Sequence, residues 1–225
     1  INSLKDISKD FNCDPRRITV IQNGLDIDVF RPYKEILRNP LRLITTASAD
    51  VPLKGLDYTL KSLAELKKDF PGIHLIVIGK LKEEGHTARL IEKLNIQDEV
   101  TFKTNLTKEE IAKEYAKSSI SLVSSLYEGF GYPVIEAMSC GVPLIAANTS
   151  SIPELVGEFA SLIPAKDTKA QIESIKNVIQ KYDYYKDIAE KGREHIITKF
   201  NWLKITEEYE KTIFKTIENF KNADV

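Results

Sequence analysis

The sequence predicts an α/β fold, a doubly wound parallel sheet of the Rossmann-like kind, with a helical C-terminal tail. Short apolar runs alternate with amphipathic segments of helical length, which is typical of strand–helix–strand units. The run IHLIVIG at residues 73–79 is apolar almost throughout, as expected of a strand that is covered on both faces. After residue 166 only helical periodicity remains. Right-handed crossovers between such strands produce the doubly wound arrangement.

Periodicity and run length place the elements in order. Strands are expected at residues 41–47, 73–79, 100–103, 120–124 and 142–147. Helices are expected at residues 56–70, 87–94 and 108–116, and in the tail at 167–182, 185–198 and 201–220. Asp167 is the expected N-cap of the first tail helix. The final helix carries an apolar stripe that we interpret as core or domain-interface surface: Trp202, Ile205, Tyr209, Ile213, Ile217 and Phe220.

Composition argues against several classes of function. The 225 residues include 32 basic and 33 acidic side chains, so the sequence offers no basic surface for nucleic acid and no polybasic run for a membrane. No apolar stretch reaches the length of a membrane span, and no signal peptide opens the chain. Cys13 and Cys140 are too few for a disulfide framework or a zinc site. We expect one cytoplasmic domain over residues 1–225, with peripheral attachment to the inner membrane face left open.

The segment EGFGYPVIE at residues 128–136 is the most informative one. It follows the predicted strand 120–124, so it lies at the carboxyl edge where such sheets bind ligands. Gly129 and Gly131 allow a ligand to approach the backbone closely, and Pro133 suits the first turn of a helix. Tyr132 is a poor N-cap, so we expect the first N–H groups of this helix to be free for an anion.

Two carboxylates flank this phosphate cradle. Glu128 precedes it and Glu136 follows it, and ionised carboxylates accept hydrogen bonds from the vicinal hydroxyls of a ribose or a hexose. A phosphate site between two hydroxyl-binding carboxylates fits a sugar nucleotide. The alternative is a glycine-rich turn followed by a glutamate of the capping type.

A second segment, residues 45–55, leaves the predicted strand 41–47 and enters the helix at residue 56. Lys54 stands just before that helix, where a cation would neutralise a diphosphate but is unfavourable to the helix dipole. This local cost favours a functional role for Lys54. Ser48 and Asp50 either contact the ligand or close the loop.

Six segments in this order resemble the GT-B glycosyltransferases, in particular the large retaining group called family 4. Residues 128–136 match its E-x7-E signature. The others are 23–26 (NGLD) with Phe30 and Pro32, 54–55 (KG), 136–143 (EAMSCGVP), 152–156 (IPELV) and 200–202 (FNW). The resemblance covers about residues 18–210, and the combination of segments is far more specific than E-x7-E alone.

The resemblance implies the C-terminal, donor-binding half of a two-domain GT-B enzyme, which transfers a hexose from a UDP-, GDP- or ADP-sugar with retention at the anomeric carbon. By the same resemblance, Glu136 binds the ribose, Glu128 contacts the transferred sugar and Lys54 stabilises the departing diphosphate. Backbone that meets the donor extends over four matched residues: Phe130, Gly131, Tyr132 and Val134. No metal ion or other cofactor is implied.

The family also has an N-terminal domain that brings the acceptor, a sugar or a lipid-linked molecule, and we expect this domain to be absent from the chain. The last helix of a family member packs back across the cleft between the domains. The isolated chain is therefore expected to bind nucleotide without turnover, because transfer needs both substrates aligned.

One departure keeps other functions open. The G-R pair that the family has six residues before K-G is here Ser48-Ala49, so a cation for the diphosphate is missing. Lys80 and Lys103 follow other predicted strands and are candidates to replace it. The alternative function is a non-catalytic module that binds a nucleotide or a sugar, and a third is another GT-B-like enzyme, such as a sugar epimerase or phosphorylase.

Two further patterns predict structure rather than chemistry. Ser151 and Glu154 form an S-x-x-E pattern, which predicts a capping box. The three histidines are scattered and predict no metal site, and His86 and His195 are expected to be exposed.

Overall fold

The structure, a computed structural model, describes residues 2–223 and contains a parallel sheet with helices on both faces. The strands stand in the order β3-β2-β1-β4-β5-β6, and each neighbouring pair is parallel. Their bounds are β1 Asn39–Thr46, β2 His74–Ile78, β3 Val100–Lys103, β4 Ser118–Val123, β5 Leu144–Ala147 and β6 Ser161–Ile163. The predicted doubly wound α/β fold is confirmed.

The helices agree with the predicted order. Their bounds are α1 Asn2–Asp10, α2 Leu56–Asp69, α3 His86–Leu94, α4 Lys108–Lys117, α5 Tyr132–Ser139, α6 Ile152–Val156, α7 Thr168–Gln180, α8 Tyr182–Lys199 and α9 Trp202–Ala223. Asp167 caps α7 as predicted, since its Oδ1 accepts the N–H of Ala170 at 2.9 Å. The sequence patterns predict neither α1 nor the short strand β6, and for α6 they indicate only a helix start, through the S-x-x-E pattern at Ser151 and Glu154.

Four strands begin one or two residues away from the predicted starts, and for β4 and β5 the reasons are local. β4 starts before the apolar run does, because its first two side chains are buried serines whose hydroxyls have backbone acceptors: Ser119 Oγ donates to the carbonyl of Pro40 at 2.7 Å. β5 starts after the apolar run does. Pro143 has no N–H to donate, and only its carbonyl takes part, by accepting the N–H of Ser121 at 2.9 Å.

Adjacent residues of the central strand are buried on opposite faces of the sheet. Leu43 packs with side chains of α2 and α7, whereas Ile44 packs with side chains of α5 and α8. Both are at most 1% exposed. Burial on both faces explains why the strands are apolar in continuous runs, and each such side chain contributes about 1.5–3 kcal/mol.

The strand order reverses between β1 and β4, and this point positions the site. β1 pairs with β2 on one side and with β4 on the other, so the crossovers that follow β1 and β4 diverge to opposite halves of the sheet. Ligands of open α/β sheets bind in the crevice that such a divergence leaves at the carboxyl ends of the strands. The loops that contain Lys54 and Glu128 follow these two strands.

The start of α9 is fixed to an N-terminal segment of the described chain. Leu25 N–H donates to the carbonyl of Phe200 at 2.7 Å, and a Cβ at Gly24 would collide with the indole ring of Trp202. Of the predicted apolar stripe, Ile205 is 1% exposed and the other members are 44–70% exposed. Among the described residues, no helix combines the length and the apolarity that a membrane crossing requires.

Candidate functional site

Lys54 is held over the carboxyl end of β4 by the turn that precedes α2. Residues Pro52–Lys54 form a 3-10 turn that ends at Gly55, whose φ is 64°. A Cβ at Gly55 would collide with the carbonyl oxygen of Ser124, so the two loops approach more closely than any other residue allows. Leu126 N–H donates to the carbonyl of Leu53 at 2.7 Å and fastens the loops together.

Glu128 meets Lys54 in this crevice. Its side chain is 9% exposed, and its Oε1 accepts from Lys54 Nζ at 2.8 Å and from Ser125 Oγ at 2.7 Å. These two donors compensate the burial of the carboxylate, and both act on Oε1. The structure therefore brings together the two residues to which the sequence gives catalytic roles, and it adds Ser125, which sequence reasoning missed.

The backbone of Glu128 is held by consecutive hydroxyls after β5, which we call the hydroxyl clamp: Thr149, Ser150 and Ser151. Glu128 N–H donates to Ser150 Oγ at 2.8 Å, and its carbonyl accepts from Ser151 Oγ at 2.9 Å. Thr149 Oγ1 donates to the carbonyl of Ser125 at 2.8 Å. The clamp fixes the position of Glu128 by hydrogen bonds rather than by apolar packing.

The predicted capping box at Ser151 and Glu154 is wrong. No side chain caps α6, and Ser151 Oγ instead donates to the carbonyls of Glu128 and Phe130. The hydroxyl is used by the neighbouring loop because the glycine-rich turn leaves carbonyl groups that need donors. Three consecutive hydroxyl residues directly after a predicted strand, at the ligand edge, are the signal that would have indicated this role.

The prediction that the first N–H groups of α5 are free is wrong for Val134. Gly131 is the N-cap with a φ of 109°, and its carbonyl accepts the N–H of Val134 at 3.0 Å and that of Ile135 at 3.3 Å. Pro133 has no N–H. The N–H groups of Gly129, Phe130, Gly131 and Tyr132 have no acceptor among residues 2–223, so the anion cradle is the glycine loop, residues 129–132, rather than the first helical turn.

Glu136 projects from α5 toward the end of β1. Its Oε2 lies 3.4 Å from Tyr115 Oη, which is itself 3.1 Å from Thr46 Oγ1. Burial raises the pKa of Glu136 to about 7, against the opposing effects of the Tyr115 hydroxyl and Lys108. A carboxyl with a pKa in this range is ready to ionise when ligand hydroxyls donate to it.

Ser48 and Asp50 differ in their surroundings. Ser48 is exposed. Asp50 Oδ1 accepts the N–H of Thr87 at 2.8 Å, and its own N–H donates to Thr87 Oγ1 at 3.1 Å. The hydrogen bond from the Thr87 backbone lowers the pKa of Asp50. Asp50 therefore closes the loop onto the start of α3, the second of the two roles that its position suggests.

The two candidate replacements for the missing arginine are not equivalent. Lys103 Nζ lies 3.0 Å from Glu114, which also binds Arg42 and Lys117. Burial of Glu114 acts to raise its pKa, but these three cations together lower it to about 2. Lys103 is therefore already engaged by Glu114, and its role as a replacement for the arginine stays a prediction. Lys80 is exposed at the end of β2 and has no ion pair in the described part of the chain.

Ala49 occupies the position of the family's arginine and is 4% exposed. The small side chain at this position is therefore covered by its neighbours.

A cavity of about 680 Å³ opens beside Glu128. It lies between the glycine loop, the hydroxyl clamp, the start of α9 and the segment around Gln22. Of the residues predicted to hold the donor, only Glu128 and Phe130 line it. His195 lies nearby on α8 and is half-buried, contrary to the predicted exposure, because its Nε2 lies 3.2 Å from the carbonyl of Leu155.

Comparisons with known proteins point to one family. The sequence profile of the family described as glycosyl transferases group 1 matches residues 33–195. The MMP alpha-(1->4)-mannosyltransferase of Mycolicibacterium hassiacum is 33% identical over 218 residues, which cover 94% of this chain and 52% of that protein. The chain thus spans about half the length of this relative.

Solved structures resemble the fold. Sucrose-phosphate synthase from Thermosynechococcus elongatus superposes with a TM-score of 0.83 at 22% identity, over 96% of this chain and 56% of that one. The Anabaena protein HepE, in complex with UDP and glucose, superposes with a TM-score of 0.77 at 22% identity, over 89% of this chain and 57% of that one.

Proposed function

Since the chain belongs to the family of glycosyl transferases group 1, we propose that it is the donor-binding half of a retaining enzyme of family 4. This half binds a nucleotide sugar, and the complete protein transfers the hexose to a sugar or lipid-linked acceptor with the help of an N-terminal domain. The observation that carries the proposal is the ion pair of Lys54 and Glu128 at the point where β1 and β4 diverge. Residues 1–225 form one domain in this proposal.

The diphosphate of the donor binds between Lys54 and the glycine loop. The N–H groups of Gly129 to Tyr132 are unused by the described chain and can donate to phosphate oxygens. Lys54 already lies at the crevice and exchanges its partner Glu128 for the diphosphate when donor enters. Such fixed positive groups supply the charge that a divalent cation supplies elsewhere, so the proposal needs no metal ion.

The two glutamates bind the two sugars of the donor. Glu136 accepts hydrogen bonds from the ribose hydroxyls, and this binding favours its ionised form, because donors to a carboxylate lower its pKa. Glu128 accepts from a hydroxyl of the transferred hexose. Its Oε2 is available for this purpose, since Lys54 and Ser125 both bind Oε1.

Transfer breaks the bond between the anomeric carbon and a diphosphate oxygen, and forms a bond between the same carbon and the acceptor hydroxyl oxygen. The proton of the acceptor hydroxyl leaves with the nucleoside diphosphate, on the face from which the diphosphate departs, which gives retention. Lys54 stabilises the negative charge that develops on the leaving diphosphate.

UDP is the nucleotide we expect, ahead of GDP and ADP, because HepE has this fold and was solved with UDP and glucose. The test is a thermal-shift titration of the chain with UDP, GDP, ADP and UDP-glucose. Ligand at about 100 times its dissociation constant raises the midpoint by roughly 5–10 °C. Lys54→Ala and Glu136→Ala abolish the shift, whereas Lys93→Ala, an exposed lysine at the far end of α3, leaves it unchanged. If none of these nucleotides raises the midpoint of thermal unfolding, the proposal is contradicted.

The buried Ala49 favours a second candidate, a non-catalytic module that binds nucleotide or sugar. This candidate predicts the same thermal shifts but no release of UDP from UDP-glucose by the complete two-domain protein. Turnover by that protein rejects it.

A further inference from the structure

Four polar side chains lie buried between α2, α7 and the end of β4, and we call them the amide network: Thr59, Ser62, Ser124 and Gln171. They are 0–8% exposed. The layer around them is otherwise apolar, with Leu60, Leu63 and Ile175 among its members. Burial of amides and hydroxyls costs free energy unless they are hydrogen-bonded, and a fully bonded network fixes the groups that it joins.

Gln171 is the centre of this network. Its Oε1 accepts from Ser62 Oγ at 2.7 Å, and its Nε2 donates to Ser124 Oγ, also at 2.7 Å. Ser124 Oγ lies 2.8 Å from Thr59 Oγ1 as well. Because Thr59 and Ser62 belong to the first two turns of α2 and Ser124 follows β4, one side chain of α7 fastens both elements.

Both elements lead directly to groups of the proposed donor site. α2 begins after Gly55, and Lys54 is the residue before it. A Cβ at Gly55 would lie 2.0 Å from the carbonyl oxygen of Ser124 and 3.2 Å from its Cβ. Ser124 is followed by Ser125, whose hydroxyl binds Glu128. Ser124 is therefore the residue at which the turn of Lys54 and the loop of Glu128 touch.

We propose that Gln171 is a positioning residue for the donor: through Ser124 and α2 it sets how far the turn of Lys54 stands from the loop of Glu128. The inference rests on the proposed function, in which both loops hold the sugar nucleotide. Gln171 is 2% exposed, so it acts through these elements and not by contact with the ligand. The alternative is that the network serves only the packing of α7 on α2, in which case its loss lowers stability without a specific effect at the two loops.

A single backbone hydrogen bond reports on this distance without any ligand. Leu126 N–H donates to the carbonyl of Leu53 at 2.7 Å and joins the two loops. When the loops separate, this amide exchanges its hydrogen with solvent, so its exchange rate measures local opening. The test is hydrogen exchange of the ¹⁵N-labelled chain, followed at Leu126 by NMR, with urea unfolding measured in parallel.

Gln171→Met keeps the length of the side chain and removes its amide. The hydroxyls that the amide binds keep other partners at 2.8 and 3.0 Å, so neither is left without a hydrogen bond. We expect exchange at Leu126 to accelerate about five- to tenfold, which corresponds to the loss of one net hydrogen bond. Ser124→Ala removes the same hydrogen bond from its other end and gives a similar acceleration, so the result does not depend on one variant.

Val178→Ala is the matched control. Val178 is 1% exposed on the same helix and outside the network, and its truncation lowers the urea midpoint at least as much as Gln171→Met does. Exchange at Leu126 stays within about twofold, because this loss affects global stability rather than the loops. Combining Gln171→Met with Ser124→Ala accelerates exchange no further than the stronger single substitution, because the two share one hydrogen bond.

Binding of UDP gives the second readout. Isothermal titration yields a dissociation constant about five- to tenfold higher for Gln171→Met than for the unsubstituted chain, and within about twofold of it for Val178→Ala. If the unsubstituted chain binds no UDP, the proposed function fails, whereas the exchange rates still decide whether Gln171 holds the two loops together.

Three results overturn the inference. The first is equal exchange at Leu126 in Gln171→Met and Val178→Ala, which assigns the network to packing alone. The second is additive acceleration in the double variant, which shows that Gln171 does not act through Ser124. The third is a UDP dissociation constant that Gln171→Met leaves unchanged although exchange accelerates, which separates the loop contact from donor binding.

Discussion

At the scale of single residues, the two glutamates of the site differ in the groups that surround their carboxylates. Glu128 is buried and Glu136 is half-buried at one edge of the sheet, and Glu128 has a cation and a hydroxyl on one oxygen. Glu136 Oε2 lies 3.4 Å from the hydroxyl of Tyr115, and burial raises the pKa of Glu136 to about 7. Two glutamates from one segment thus have different hydrogen-bond partners before any ligand binds.

The raised pKa of Glu136 predicts a pH dependence of stability. Between pH 4.5, the ordinary value, and about 7, the folded chain keeps a proton that the unfolded chain has lost. The free energy of unfolding therefore falls as pH rises through this interval, by roughly 3 kcal/mol at most, since one pKa unit is worth about 1.4 kcal/mol. Glu136→Gln removes this loss, so urea unfolding at pH 5 and pH 8 shows a smaller difference for the variant. Equal differences in both proteins contradict the assignment.

The sequence predicts Lys54, Glu128 and Glu136, but it does not predict the hydroxyls that hold Glu128. Charged residues beside glycines are unusual enough to attract attention, whereas serine and threonine are common in loops. A hydroxyl both donates and accepts, so a pattern such as Ser151–Glu154 fits a helix cap as well as a loop clamp. Only the neighbouring carbonyls of Glu128 and Phe130, which are distant in sequence from Ser151, decide between the two.

At the scale of elements, the site depends on how closely two loops approach. The doubly wound order follows from run lengths and periodicity, because buried strands and amphipathic helices have distinct patterns. β6 cannot be predicted in this way, because Ser161–Ile163 is too short to show the alternation that is typical of a strand. No sequence pattern predicts the contact between Gly55 and Ser124 either, because these residues are far apart in the sequence and meet only where the loops after β1 and β4 come together.

This contact gives a prediction with a matched control. Gly55 and Gly72 both have a positive φ, but a Cβ at Gly55 meets the Ser124 carbonyl, whereas one at Gly72 meets nothing within 4 Å. Gly72→Ala therefore carries only the backbone strain, about 1–2 kcal/mol. Gly55→Ala destabilises the chain further, as measured by urea unfolding, and abolishes the UDP-induced thermal shift because Lys54 moves. A Gly55→Ala protein that unfolds and binds like Gly72→Ala shows that the close approach is not required.

At the scale of the whole molecule, the sheet and its flanking helices bury most of their apolar side chains, whereas most of the apolar side chains along α9 are exposed. The predicted apolar stripe on this helix is continuous in the sequence, but in the structure one part of it is buried and the rest is exposed. Ile205, next to the cavity, is buried, whereas Tyr209, Ile213, Ile217 and Phe220 extend beyond the core. Periodicity shows that one face of a helix is apolar, but it carries no information about which molecule or domain covers that face.

The division of α9 predicts where substitutions affect stability. Ile205→Ala creates a cavity in the described core and lowers the free energy of unfolding by about 2–5 kcal/mol. Ile217, which is 45% exposed, has little packing to lose, so Ile217→Ala changes the stability of this chain by less than about 0.5 kcal/mol. Urea unfolding of both variants measures the difference. In the complete two-domain protein, where the proposed N-terminal domain covers the stripe, Ile217→Ala becomes destabilising as well. A large effect of Ile217→Ala in the present chain would instead mean that α9 packs on its own core or on a second copy.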